Sequence, residues 1–234
     1  ALLTDSTCDL PPELFDKYHI HRIPLPINID ENQFLDTMTI TPENFYRLTD
    51  QAQTFPTTSQ PAASFVYRQL TQLLENYESV IAIHLSSRLS GTWDTVRREA
   101  ERFSNRKISV IDSGHLSGSL GLIVKRAAEQ IASGKNHDEV VEATRSFLPK
   151  AENFVGVVNL KYMVRGGRVS PLKGLMAKAM NLKPIVSVDK EGNSVLYGKA
   201  FSQKSNIRKM YRMIKQIQAT APLYASAAVH TRAP

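Results

Sequence analysis

Apolar residues fall into two recurrent patterns along this chain. Short apolar runs bounded by polar or turn residues, at Ala1–Thr4, Ile23–Ile29, Ser79–Leu85 and Ile108–Ile111, predict strands. Helical spacing fills the intervals. Pro11 and Pro12 precede a helix at Glu13–Tyr18, with proline placed where a first turn tolerates it. A helix running from Pro61 to about Tyr77 carries Phe65, Leu70, Leu73 and Leu74 on one face, and Thr92–Phe103 and Ser117–Ser133 follow their strands in the same way. Alternating strand, loop and helix predicts an α/β fold with a largely parallel sheet over residues 1–150.

A second α/β unit is expected over residues 151–234. Phe154–Val158 and Pro184–Val188 read as strands, Leu160–Arg165 as a short helix stopped by Gly166-Gly167, and Ser170–Asn181 as another helix. Glu191-Gly192-Asn193 forms a hairpin turn into Ser194–Ala200. Ile207, Met210, Tyr211, Ile214 and Ile217 give the stripe of an amphipathic helix, and Leu223–Val229 a last strand. The chain opens on a strand pattern and stops just after another, so a fragment with a truncated second unit is expected.

Composition narrows the class. At 234 residues and 42% hydrophobic there is enough chain for a substantial core, and no apolar run approaches the roughly 20 residues of a membrane span. An integral membrane protein is not expected. One cysteine, Cys8, forms no internal disulfide, which suits a reducing cytoplasm. Lysine and arginine (29) outnumber aspartate and glutamate (22), a net charge of +7. Stacking aromatics among the bases and a nucleic-acid motif are both missing, so an acidic ligand or protein is the better partner.

Four polar clusters coincide with strand ends or helix starts: Asp5-Ser6-Thr7, Thr57-Thr58-Ser59, Ser86 to Thr92, and Asp112-Ser113-Gly114. Open α/β sheets bind ligands beyond the carboxyl ends of their strands. Hydroxyls and free N–H groups at a helix start suit a carboxylate or phosphate. Thr58 and Ser90 sit among more hydroxyls than one helix cap needs, whereas Asp5 and Asp112 fit capping or loop-bracing equally well.

Enzyme signatures are scarce. G-x-S-x-G, the Walker loop and G-x-G-x-x-G are all absent, and His19 and His21 lack a third ligand at zinc-like spacing. Cys8 reads as a small loop residue unless it lies at a helix N-terminus. A hydrolase or transferase would use Ser90 or Ser117, with no convincing base to activate either. An interaction module would dock an acidic protein through the Gly166–Arg168 turn and the basic helices.

Five segments in order carry a resemblance: Thr4 to Pro11, Thr58-Ser59-Gln60-Pro61, Leu85 to Thr92, Asp112-Ser113, and Val164 to Ser170. Together the series resembles the DegV family of bacterial fatty-acid-binding proteins, over essentially the whole chain. The resemblance implies two α/β domains with a long-chain fatty acid buried between them. It further implies presentation of the carboxyl group to a separate ATP-using kinase subunit, or to a fused kinase-like domain, which makes the acyl phosphate. On this reading the chain is a lipid-binding protein without catalytic residues, metal or cofactor.

Carried over by position, Thr58 and Ser90 are the carboxyl-binding hydroxyls. Ser59, Gly91 and Thr92 are their neighbours, with Asp5, Ser6, Asp112 and Arg168 as further candidates. Two roles stand for Arg168: a place at the domain interface or kinase-docking face, or a brace for the loop after Gly167. Leu160, Met163, Leu175, Met176 and Ile185 are candidate tunnel walls, with ordinary core the default role of each. A V-G-P-G turn common in the family's C-terminal segment does not occur in this sequence.

Overall fold

The computed structural model describes residues 1–158, 161–168 and 182–231. Its main sheet is parallel. Strands β1 (Leu2–Asp5), β2 (Ile20–Ile23), β6 (Ser79–His84) and β7 (Lys107–Asp112) lie in the order β2-β1-β6-β7. Alternate residues of these strands face opposite layers, as the two-residue period requires. Leu3, Ile23, Val80 and Ala82 pack under α3 (Ala63–Asn76) and α4 (Thr92–Glu101). Leu2, Ile81, Ile83 and Leu85 pack against α1 (Pro12–Lys17), α5 (Ser117–Ala132) and α6 (His137–Phe147). The chain leaves β1 toward β2 on one side and returns to β6 on the other, which makes the β1/β6 boundary the topological switch point.

Ile23–Ile29 is not one strand. β2 ends at Ile23, and β3 (Pro26–Ile29) starts a separate antiparallel sheet with β4 (Asn32–Leu35) and β5 (Thr57–Thr58). Pro24 and Pro26 lack the N–H that a continuous ladder would use. Between them, the Leu25 N–H is taken by the Ser6 hydroxyl at 3.1 Å. Helix α2 (Pro42–Gln51), capped by Thr41, packs Phe45 and Leu48 against Ile27, Ile29 and Ile40.

In the second unit β8 (Val155–Gly156), β9 (Lys183–Val188) and β10 (Ser194–Ala200) form an antiparallel sheet ordered β10-β9-β8. Helix α7 (Lys161–Arg165) and α8 (Gln203–Thr220) flank it. The helix expected at Ser170–Asn181 lies outside the described residues. Along α8 the buried position is Asn206, whose amide donates to the Lys183 and Pro184 carbonyls, while Tyr211 of the predicted apolar stripe stands 65% exposed.

Leu223–Val229 forms no strand. The segment runs along α5 instead: Tyr224 meets Phe147 edge to face at 5.7 Å and donates to Glu129, and Val229 lies beside Gly118. Its apolar side chains stay largely exposed, Leu223 and Val229 included, so the segment touches α5 without being buried against it. No described helix is long and apolar enough to cross a membrane.

Candidate functional site

Asp5 ends β1 at the switch point, fully buried. Its carboxylate accepts from Thr7 N (3.0 Å), Thr7 Oγ1 (2.6 Å), Leu85 N (3.0 Å) and His84 Nδ1 (3.0 Å). Burial pushes the Asp5 carboxyl up, but the His84 bond and charge, then Thr7 and the Leu85 N–H, outweigh it and hold it below the usual range. Asp112 is spent similarly, its Oδ1 accepting from Ser87 N (3.2 Å) and Gly114 N (3.0 Å). Both aspartates therefore tie loops together. Ser6 does likewise through Leu25 N.

The hydroxyl loops differ. Thr58 pairs with Ile27 through the backbone of β5, and Ser59 N donates to Pro26 O at 3.2 Å, so the loop is held by its main chain. Both side chains are exposed, and among the described residues the Thr58 hydroxyl has no hydrogen-bond partner. The chain then enters α3 through buried Pro61. Ser90 precedes α4, with its N–H on Ser86 O at 3.2 Å; its Oγ accepts from Thr92 N (3.3 Å) and pairs with Thr92 Oγ1 (2.9 Å). A methyl group on Gly91 would fall 1.8 Å from Gln60 Oε1. Gln60 therefore closes directly over Gly91 and brings the Thr58 and Ser90 loops together.

The second unit reaches the same edge. Gly192, at φ +84°, presses on Ser86 and Gly114, and the Ser86 hydroxyl donates to its carbonyl at 2.8 Å. Arg168 donates to Leu89 O at 3.2 Å and to Gly166 O, so it braces its own turn and also grips the loop that carries Ser90. Phe55, just before Thr57, stacks near Tyr162 (5.1 Å) with Arg165 over its ring (5.2 Å).

Other candidates fall elsewhere. Cys8 is buried in the α1/α5 core, and burial pushes its thiol up to about 12, which leaves almost no thiolate at neutral pH. The Ser117 hydroxyl donates to Asp9 at 2.6 Å. His21 faces the Tyr77 hydroxyl at 3.3 Å, and no metal-holding cluster of His, Cys, Asp and Glu occurs among the described residues. An open cleft of about 310 Å³ along the β2 edge is lined by Phe15, His21, Arg22, Met38 and Gln69 among others, and by neither Thr58 nor Ser90. Met163 and Ile185 pack within the second unit, whereas Leu160, Leu175 and Met176 lie outside the described residues.

Three parts of this edge do not stand out in the sequence. Gln60 reads there only as part of a motif, Gly192 only as a turn, and His84 only as one of six scattered histidines. The available signal for His84 is a histidine closing the apolar run Val80–Ile83, where burial demands a partner.

A four-stranded parallel sheet covered by helices on both faces, with polar loops converging at its carboxyl edge, defines an α/β protein of the doubly wound kind. The model of the DegV family, described as "Uncharacterised protein, DegV family", matches residues 1–233, and the chain belongs to that family. A DegV domain-containing protein of Clostridium acetobutylicum is 32% identical over 92% of this chain and 77% of its own length. A solved structure titled as fatty acid binding of a DegV family protein from Thermus thermophilus superposes with a TM-score of 0.84 at 29% identity, covering 93% of this chain and 77% of that one. DegV from Bacillus subtilis, described as a fatty acid binding protein, gives a TM-score of 0.86 at 26% identity over 94% of this chain and 78% of that one.

Proposed function

We propose that this chain binds a long-chain fatty acid, with the carboxyl group held by Thr58 and Ser90. The observation that carries the reading is the likeness to the Thermus and Bacillus fatty-acid-binding proteins across more than nine-tenths of the chain. The site geometry supports it: two hydroxyls on loops joined through Gln60 and Gly91, one without a protein partner among the described residues and one bonded only within its own loop. Ser59, Gly91 and Thr92 complete the loops around the headgroup.

Affinity on this reading comes from the tail. About fifteen methylenes at roughly 0.8 kcal/mol each give a gross term on the order of 12 kcal/mol, offset by the entropy of binding. The headgroup loops need only avoid leaving a buried carboxyl unsatisfied. Omitting a fixed cation leaves that group free to react, which suits presentation to a separate ATP-using kinase subunit in the cytoplasm. The acid lies between an N-terminal unit of residues 1–150 and a second unit of residues 151–234. Arg168, at the junction of the two, directs its donors to the Leu89 and Gly166 carbonyls and braces the Ser90 loop rather than pairing with the carboxyl.

Native mass spectrometry of the purified chain, followed by denaturing extraction, tests the binding. One fatty acid per chain is the expected result. A protein that is empty and takes up no added long-chain acid sinks the proposal.

A further inference from the structure

The main sheet ends on two strands that meet solvent differently. β2 is four residues long, carries His21 and Arg22, and runs directly into Pro24. Short length, charge and a proline at the exit are ways an edge strand resists pairing with another chain. β7 has six residues, Lys107–Asp112, with no proline, glycine or charge between its ends. Ile108, Val110 and Ile111 favour the extended conformation.

The outer backbone of β7 is open. Ser113 N donates to His84 O at 3.1 Å, so alternation turns the N–H and C=O groups of Ser109 and Ile111 toward β6, and those of Ile108 and Val110 away from it. These outward groups have no hydrogen-bond partner among the described residues. The Ile108 and Val110 side chains are only partly buried, at the rim of the core under α3 and α4.

The charges select an occupant. The segment is basic at its start, with Arg106 and Lys107, and acidic at its end, with Asp112. A second copy running antiparallel brings unlike ends together, whereas parallel pairing aligns like charges. Both ends have capacity to spare. Asp112 uses only Oδ1, on Ser87 N and Gly114 N, and Arg106 uses only Nη2, on the Leu74 and Tyr77 carbonyls.

We propose that β7 pairs with β7 of a second copy, antiparallel about a two-fold axis at Ser109, so that two four-stranded sheets become one continuous sheet. In that register Ile108 lies opposite the partner's Val110, and Val110 opposite the partner's Ile108. Each pair exchanges both backbone hydrogen bonds, which satisfies the outward groups of both residues. The two apolar pairs cover the rim of the core, and Asp112 stands opposite the partner's Arg106. The contact is isologous and closes at a dimer. It is independent of the fatty-acid reading.

The test uses the full chain. Sedimentation velocity from about 1 to about 200 µM, with enough salt to screen the net charge, should show a monomer–dimer equilibrium. Val110→Pro removes an outward N–H and leaves the β6 ladder intact, so it should fold and stay monomeric. Ser109→Asp and Ser109→Lys each set like charges opposite one another at the axis. Each alone should dimerise about tenfold more weakly, and an equal mixture should recover the dimer. A wild-type monomer throughout that range, an unchanged dimer in Val110→Pro, or a mixture no better than its components overturns the proposal. Should the variants fail to fold, hydrogen exchange of the wild-type chain decides. The Ile108 and Val110 amides should exchange slowly where the dimer dominates and quickly on dilution. Fast exchange of both within the dimer overturns the proposal.

Discussion

Asp5 and Ser90 end neighbouring strand and loop segments at one edge of one sheet, yet their hydrogen-bonding capacity is used in opposite ways. The carboxylate of Asp5 is filled by Thr7, Leu85 and His84, and nothing of it is exposed. Ser90 is half-buried, and its hydroxyl bonds only within its own loop, to Thr92. The difference separates residues that build a ligand site from residues able to face the ligand. An anion would be repelled by a free aspartate, so a site for one keeps its acids occupied and turns hydroxyls and N–H groups outward.

Removing the builder should have the largest effect. In Asp5→Ala the His84 Nδ1–H and the Leu85 N–H lose their acceptor inside the sheet. A loss of about 3–5 kcal/mol is expected from breaking a buried network of this kind. Urea unfolding of the variant measures it, and a loss under about 1 kcal/mol would mean that the network is dispensable.

Gly192→Ala comes next. Its added methyl would sit 2.3 Å from Ser86 Oγ and 3.1 Å from the Gly114 backbone, on a residue at φ +84°. Left-handed strain of about 1–3 kcal/mol adds to any loss of the Ser86–Gly192 bond. Gly91→Ala makes the instructive contrast. Its nearest neighbour is the tip of the flexible Gln60 side chain, which can swing away. Thermal melts should show a clear drop for the first variant and little change for the second. An equal drop in both would mean that Gln60 is as fixed as backbone.

Ser90→Ala should reverse the pattern seen with Asp5. Stability should change by no more than about 1 kcal/mol, whereas binding of a long-chain fatty acid weakens roughly tenfold, with a similar loss for Thr58→Ala. Titration by isothermal calorimetry separates the two readouts. Retained affinity in the double variant removes the hydroxyls from the headgroup role.

Much of this arrangement is legible in the amino-acid sequence. Strands β1, β6 and β7, helices α3 to α5 and the hydroxyl clusters follow from apolar periodicity and from Ser, Thr and Asp at strand ends, whereas β2 does not. The rest depends on contacts distant in sequence. Pro24 and Pro26 mark a break within Ile23–Ile29, but nothing local announces that Leu25 N will find Ser6 there, or that Leu223–Val229 will lie on α5. Helix α6 is missing from the predicted elements although Asn136 and Glu139 form a capping box, a signal that does lie in the sequence. The pairing of Asp5 with His84, 79 residues away, follows only from the strand order itself.

The smallest expected effect concerns Asp36, an acid that is the opposite of Asp5 in energetics. Burial raises the Asp36 pKa, with a bond to Ser6 opposing that rise and the charge of Asp9 adding to it. An acid whose folded pKa exceeds its unfolded value is held best when protonated. Its contribution to stability is therefore full below the unfolded pKa, near ~3.9, and falls as pH climbs toward the folded value. Asp5 runs the other way: its stabilisation is present above the unfolded pKa and is lost as pH drops through its depressed folded value. Asp36→Asn should thus gain stability relative to wild type as pH rises from the unfolded pKa through the folded one. Unfolding midpoints of both proteins from about pH 3 to 7 test the sign. A difference that shrinks with rising pH would mean that Asp36, like Asp5, is a satisfied brace.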